Sequence, residues 1–276
     1  MRVRDRLTGI GDSTLILERA GAVLWIRLNR PEARNGISAS MRDELTAALT
    51  DADRDITVRA LVITGQGRDF CTGADLMPAA DPEQAARRAL SPLDYRRDVG
   101  PWQRLFRTLW ELETPVVSAV NGTTAGSGWM LALLADLVVA AQGARWTHAF
   151  LRRGMVPHAG DPFFLPRVLP FHRLNEAALL SDTITSETLA EWGVVNRLVP
   201  ADQVEATAAE LADRLAAGPT RTIGVTKGLY RRSLVSDMAT AFGEEATATA
   251  LVSQTNDRIE GVRALIEGRR PDFTGT

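Results

Sequence analysis

Two stretches near the start of the chain alternate apolar and polar residues: 14–19 (TLILER) and 22–30 (AVLWIRLNR), with Gly21 between them. A period of two sends alternate side chains to opposite faces, so the pair is predicted as a β-hairpin. The spacing then changes. Met41, Leu45, Ala48 and Leu49 recur every three or four residues, which predicts one face of a helix ending near Asp53, N-capped by Ser38 or Ser40. "RALVITG" (59–65) is a continuous apolar run rich in β-branched residues, as expected of a strand buried on both faces. A turn-rich loop, "GRDFCTGADL" (67–76), follows. Residues 77–97, with Pro78, Pro82, Pro92 and many charges, are predicted as an irregular excursion.

The pattern then repeats. Leu105, Leu109 and Leu112 mark a helix over 102–112, and "TPVVSAVNG" (114–122) is a second buried strand. A glycine-rich turn and an apolar helix lead to a third strand, 136–141. Strand, loop and helix recur at roughly 50–60 residues, the signature of stacked α/β units. Past residue 170 the chain reads as mostly helical. A helix over 184–199 stops at Gly193 and passes into a strand, and 201–217 and 237–267 are amphipathic helices. With no low-complexity linker, the simplest division is an α/β core over 1–200 and a helical part of the same fold over 201–276.

Composition narrows the function. Across 276 residues, 45% are hydrophobic and 24% charged, enough for a sizeable core. The formal charge of −2 supplies no basic field for nucleic acid. Lys227 is the only lysine, and arginine provides the rest of the positive charge. The single cysteine, Cys71, rules out an internal disulfide and suits the cytoplasm. No apolar run reaches membrane-spanning length, and the basic start of the chain lacks the apolar segment of a secretory signal.

The candidate chemistry lies in two loops of one design. In "LVITG…FCTGADL" and "VVSAVNGTTAGSG" a buried strand runs into a glycine-containing turn and then a new element. Unpaired backbone N–H groups at such turns, two of them aimed at one point, can hold a carbonyl oxygen as it becomes an oxyanion.

These motifs, with "LNRPEARNGIS" (28–38), "RRGMVP" (152–157) and "EWGVVNRLVP" (191–200), resemble the crotonase, or enoyl-CoA hydratase/isomerase, superfamily from about residue 14 to 268. The resemblance implies an α/β fold: a spiral of ββα units with C-terminal helices that build a homotrimer or hexamer. It implies an acyl-CoA thioester ligand, with coenzyme A entering as part of the substrate and neither a separate cofactor nor a metal. By position, the oxyanion-holding N–H groups are those of Ala74 and Ser127. Coenzyme A contacts fall on Arg30, Ala33, Arg34, Asp75, Leu76, Met77 and Gly126, and Lys227 sits where relatives carry a base near the phosphates. For Lys227 a solvated helix face is an equal alternative.

The departure concerns the acids. Family hydratases deliver water with two glutamates; the corresponding positions here are Met130 and Phe150, neither of which transfers protons. Hydration by that route is not supported, and the two side chains read instead as an apolar wall beside the thioester. Among the remaining titratable groups, His158 is the first choice for an acid or base, with Asp161 orienting it. The alternatives are a surface-loop histidine and a helix-capping aspartate. His148 and Asp136 read as structural, and Cys71 as buried filler. Two functions stay open: an acyl-CoA enzyme working through an enolate, and a non-catalytic acyl-CoA binding protein.

Overall fold

The computed structural model describes residues 13–75 and 92–276. The predicted hairpin forms, β1 (Leu15–Ala20) pairing antiparallel with β2 (Val23–Leu28). Helix α1 (Ala39–Arg54) starts where Ser38 accepts a hydrogen bond from the Met41 N–H, so Ser38 rather than Ser40 is the cap. Strand β3 (Ala60–Gly65) follows, then the three-residue strand β4 (Asp69–Cys71). Helix α2 (Pro92–Glu111) begins well before residue 102, so the irregular stretch expected over 77–97 is helical from Pro92. The second unit is β5 (Val116–Val120), β6 (Thr123–Ala125) and α3 (Ser127–Leu133); the third opens with β7 (Leu137–Ala141) and β8 (Arg145–Thr147).

Each unit therefore contributes one strand to each of two sheets. The larger sheet has the order β1-β2-β3-β5-β7-β10, with β10 at Arg197–Val199, and is parallel from β2 onward; the smaller has the order β4-β6-β8-β9, with β9 at Thr183–Thr185. In the smaller sheet β4, β6 and β8 run parallel and β9 (Thr183–Thr185) closes the edge antiparallel. This is the spiral of ββα units that the resemblance implied.

Helices α4 (Asp161–Val168) and α5 (Phe171–Asn175) lead through a π-helical turn (Glu176–Leu180) to β9. Helix α6 (Ser186–Glu191) and strand β10 (Arg197–Val199) follow, and β10 joins the sheet beside β7. The chain ends in α7 (Val204–Ala216), α8 (Thr220–Ser233), α9 (Met238–Val252) and α10 (Asn256–Glu267).

The large sheet is covered on both faces, which is why β3 and β5 are apolar without alternation. Leu61 and Ile63 enter the core with α1 and α2 residues such as Leu45, Leu49, Leu105 and Leu109. Their neighbours Ala60 and Val62 pack with Val117, Ala119 and Val139 against Val204, Ala208 and Ala212 of α7. The fold thus continues across residue 200. Among the described residues no helix is long and apolar enough to cross a membrane.

Candidate active site

The two glycine loops meet. Gly73 has φ +88°, and a Cβ placed on it would lie 2.7 Å from the Ala125 carbonyl oxygen and 3.1 Å from the Ser127 nitrogen. Only a glycine lets these backbones approach so closely. The next residue, Ala74, bridges Ile37 in parallel fashion: the Ile37 N–H donates to the Gly73 carbonyl at 2.7 Å, and the Asp75 N–H donates to the Ile37 carbonyl at 2.9 Å. In a parallel bridge these bonds use the groups flanking Ala74, so its own N–H points to the opposite edge. Ser127 is the first residue of α3, and its N–H has no acceptor within the helix. Gly126 before it takes φ 50°, ψ −123°, a conformation open to glycine, whereas Ser127 needs no positive φ.

Two asparagines, Asn35 fully buried and Asn121 half-buried, hold this arrangement, and neither was singled out from the sequence. Asn35 donates to the Gln66 carbonyl at 2.9 Å and the Asp69 carbonyl at 2.7 Å, and accepts from the Arg30 N–H at 3.0 Å. It ties the "RPEARN" turn to the first loop. Asn121 donates to the Gly65 and Gly67 carbonyls at 3.0 and 2.8 Å, joining the two strand ends. An asparagine embedded in each loop motif was the available signal, because its amide can bond a backbone donor and acceptor together.

The charged residues expected at coenzyme A have partners within the chain. Arg30 donates to the Gly36 carbonyl at 2.6 Å and pairs with Asp75 at 2.8 Å. Arg34, in a left-handed conformation with φ 53°, grips Asp69 with two bonds of 3.1 and 3.0 Å. Burial acts to raise the Asp69 carboxyl, but the Arg34 and Thr123 hydrogen bonds and two guanidinium charges outweigh it and hold it below the usual range. Ala33 ends the short 3₁₀ turn beside them. Leu76 and Met77 lie outside the described residues.

Lys227 fits neither expectation for it. It is buried, donating to the Thr114 carbonyl at 3.0 Å and to Asp136 at 2.5 Å, while Arg231 holds the other Asp136 oxygen at 2.7 Å. Asp136 also accepts from the Val116 N–H at 2.8 Å, so the cluster pins α8 to the start of β5. Burial pulls the Lys227 ammonium down to about 8 against the attraction of Asp136. A phosphate contact and a solvated face are both replaced by a structural ion-pair cluster. Cys71 is buried, and burial pushes its thiol up to about 12, in keeping with an inert core residue.

The pairing expected between His158 and Asp161 is not the one that forms. The Asp161 carboxylate lies 2.9 Å from Nε2 of His148, and both side chains are buried. His158 is half-buried, its Nδ1 is 3.1 Å from the Val156 carbonyl, and it reaches Asp161 only through its own carbonyl, which accepts the Asp161 N–H at 3.2 Å. The cause is geometric. Ala159 (φ 62°) and Gly160 (φ 98°) are successive left-handed residues, and they turn the chain between His158 and the first residue of α4.

Met130 is buried on α3 and Phe150 is buried at the start of a 3₁₀ turn. Phe150 stands between two histidine rings, 5.2 Å from His148 and 5.1 Å from His158. A separate cavity of about 840 Å³ opens between α2, α8 and α9, with Trp110, Phe163 and Arg231 in its walls; neither Ala74 nor Ser127 lines it. Among the described residues no group of three or more His, Cys, Asp or Glu is placed to hold a metal ion.

Comparison with known proteins places the sequence and its fold in a family. The model for "Enoyl-CoA hydratase/isomerase" matches residues 18–276. The chain is 35% identical to the 1,2-epoxyphenylacetyl-CoA isomerase of Escherichia coli, over 92% of this chain and 95% of that protein. It is 32% identical to the 2,3-dehydroadipyl-CoA hydratase of the same organism, over 95% and 99%. Its fold superposes on the crystal structure of an enoyl-CoA hydratase/isomerase from Cupriavidus metallidurans with a TM-score of 0.87 at 29% identity, covering 95% of this chain and 96% of that one. The chain belongs to the enoyl-CoA hydratase/isomerase family.

Proposed function

We propose that this protein is an acyl-CoA enzyme that forms a thioester enolate and moves a proton, and that it does not add water by the paired-glutamate route. The observation that carries this reading is the approach of Gly73, next to Ala74, to the Ser127 nitrogen, with Met130 buried on the helix that Ser127 starts. Two backbone N–H groups left out of secondary structure suit an oxygen that gains charge, and preorganised donors of this kind contribute about 3–4 kcal/mol each to related reactions. Met130 and Phe150 give the acyl group apolar contact and have no proton to deliver. The similarity to an epoxyphenylacetyl-CoA isomerase supports isomerase-type chemistry on a bulky acyl group.

Two assays test this together. Crotonyl-CoA hydration is followed by loss of enoyl absorbance, and α-hydrogen exchange of butyryl- and phenylacetyl-CoA in D₂O is followed by mass spectrometry. Exchange without hydration is expected. Efficient hydration would refute the reading, and tight binding with neither reaction would favour a non-catalytic acyl-CoA binding protein, the alternative that the two lost glutamates support.

The proposed assembly is a homotrimer or a hexamer of two trimers. The C-terminal helices expose Tyr230, Leu234, Met238, Phe242 and Leu251, an apolar surface of the kind that subunit contacts bury. Light scattering at the mass of one chain would overturn this.

A further inference from the structure

We propose that His148, oriented by Asp161, is the acid/base of this site; the proposal rests on the acyl-CoA reading above. Nε2 of His148 is held by the Asp161 carboxylate at 2.9 Å, and its other ring nitrogen, Nδ1, is buried with no hydrogen-bond partner among the described residues. Buried imidazole nitrogens are ordinarily bonded, so an orphan one needs a functional account. The carboxylate on Nε2 fixes the tautomer: Nε2 carries the proton and Nδ1 the lone pair. A neutral imidazole with a carboxylate behind it is the arrangement that proton transfer requires.

Its position is equally specific. The imidazole lies edge-on to Trp129, with ring centroids 5.7 Å apart, and against Phe150 at 5.2 Å. Trp129 precedes Met130 on α3, so the ring sits between the two segments that carry the former glutamate positions. Thr147, the residue before His148, accepts the Gly126 N–H at 3.0 Å, tying this strand end to the loop that presents Ser127. Trp129 also buries an unpartnered Nε1, so a second polar atom of the same cluster awaits a partner. His158 lies against Phe150, at 5.1 Å between ring centroids, and no carboxylate side chain among the described residues bonds its ring.

In the proposed step Nδ1 takes a proton from the carbon next to the thioester. The C–H electron pair moves to the carbonyl oxygen, forming an enolate held by the Ala74 and Ser127 N–H groups, and Asp161 stabilises the imidazolium. Returning the proton to the same carbon gives exchange, and in a β,γ-unsaturated acyl group, whose enolate is conjugated with that double bond, returning it to the γ-carbon gives a double-bond shift. Phe150 packs against the imidazole at 5.2 Å, and the proposed step requires its ring to turn aside while it still flanks the acyl group.

The test measures deuterium uptake from D₂O into butyryl- and phenylacetyl-CoA by the wild type, His148→Gln, Asp161→Asn and His158→Ala, with acyl-CoA affinity by calorimetry. Expected is uptake by the wild type, a loss of at least about 100-fold in His148→Gln, a smaller loss in Asp161→Asn, and affinities within about threefold throughout, because the thioester is held by backbone. Undiminished uptake in His148→Gln, or loss confined to His158→Ala, overturns the proposal. Binding without exchange by the wild type also overturns it and leaves the acyl-CoA reading standing; no binding of either probe removes that reading itself. Should His148→Gln fail to fold, ¹⁵N-histidine NMR of the wild type decides. The His148 Nδ1 resonance is expected to move when phenylacetyl-CoA is added, and an unmoved resonance overturns the assignment.

Discussion

The approach of the two loops at Gly73 can be tested by adding one carbon. In Gly73→Ala the new Cβ would lie 2.7 Å from the Ala125 carbonyl oxygen and 3.1 Å from the Ser127 nitrogen, both backbone atoms with little freedom to yield. The backbone at φ +88° adds strain of its own. A left-handed conformation costs an L-residue about 1–2 kcal/mol, and forcing a methyl into a filled space costs about 1–3 kcal/mol. The expected loss of stability is therefore about 2–5 kcal/mol. Gly143→Ala separates the two contributions. Gly143 has φ +70° with nothing within 4 Å of the added carbon, so it carries the strain alone. Urea denaturation of both variants gives the difference, expected to be about 1–3 kcal/mol. Acyl-CoA affinity by calorimetry should fall in Gly73→Ala and stay unchanged in Gly143→Ala. Equal destabilisation by the two changes, or undiminished acyl-CoA binding by Gly73→Ala, would refute the claim that the loops form one site.

Other expectations follow from buried groups and caps. Native Lys227 loses its proton near pH 8 while an unfolded lysine keeps it to about pH 10.5, so the unfolded state binds more protons in that window and stability rises with pH there, by about 3 kcal/mol in all. The rise should be visible as the difference between wild type and Lys227→Met in urea titrations, and parallel pH profiles for the two would contradict it. Cys71, with its thiol near 12 and no solvent exposure, should resist iodoacetamide at pH 8 in the native state and react on unfolding; rapid native labelling would contradict its burial. Ser38→Ala removes the α1 cap and should cost about 1 kcal/mol in chemical denaturation, with acyl-CoA binding unaffected.

The long elements were legible because each buries a face with a clear period. The hairpin, α1, β3, β5 and β7 lie where the pattern of apolar residues placed them. The three-residue strands β4, β6 and β8 were not, since a period of two cannot be read from three residues inside glycine-rich turns. The early start of α2 was hidden by Pro92 and Pro101 together with a run of charges, yet proline is tolerated in a first turn and the helix continues through the second proline. At the site, the approach of the two glycine loops could be anticipated, because their glycines mark where backbones come close, while the choice of Ala74 and Ser127 within them was implied only by the resemblance. The side-chain arrangement could not be anticipated. Asp161 lies three residues from His158 and thirteen from His148 along the chain, and proximity in sequence favoured the wrong partner. Only the two left-handed residues between His158 and α4 send the carboxylate to His148. Lys227 misled for a similar reason: a lone lysine on a helix gives no hint that Asp136, 91 residues away, will draw it inward.

The central claim is that a thioester oxygen is held by two backbone N–H groups in a site where Met130 and Phe150 stand at the positions of the family glutamates. A crystal structure with butyryl-CoA bound tests it most directly. The carbonyl oxygen should lie about 3 Å from both the Ala74 and the Ser127 nitrogen, with the acyl chain against Met130 and Phe150. A thioester found elsewhere, or one touching neither nitrogen, would contradict the account.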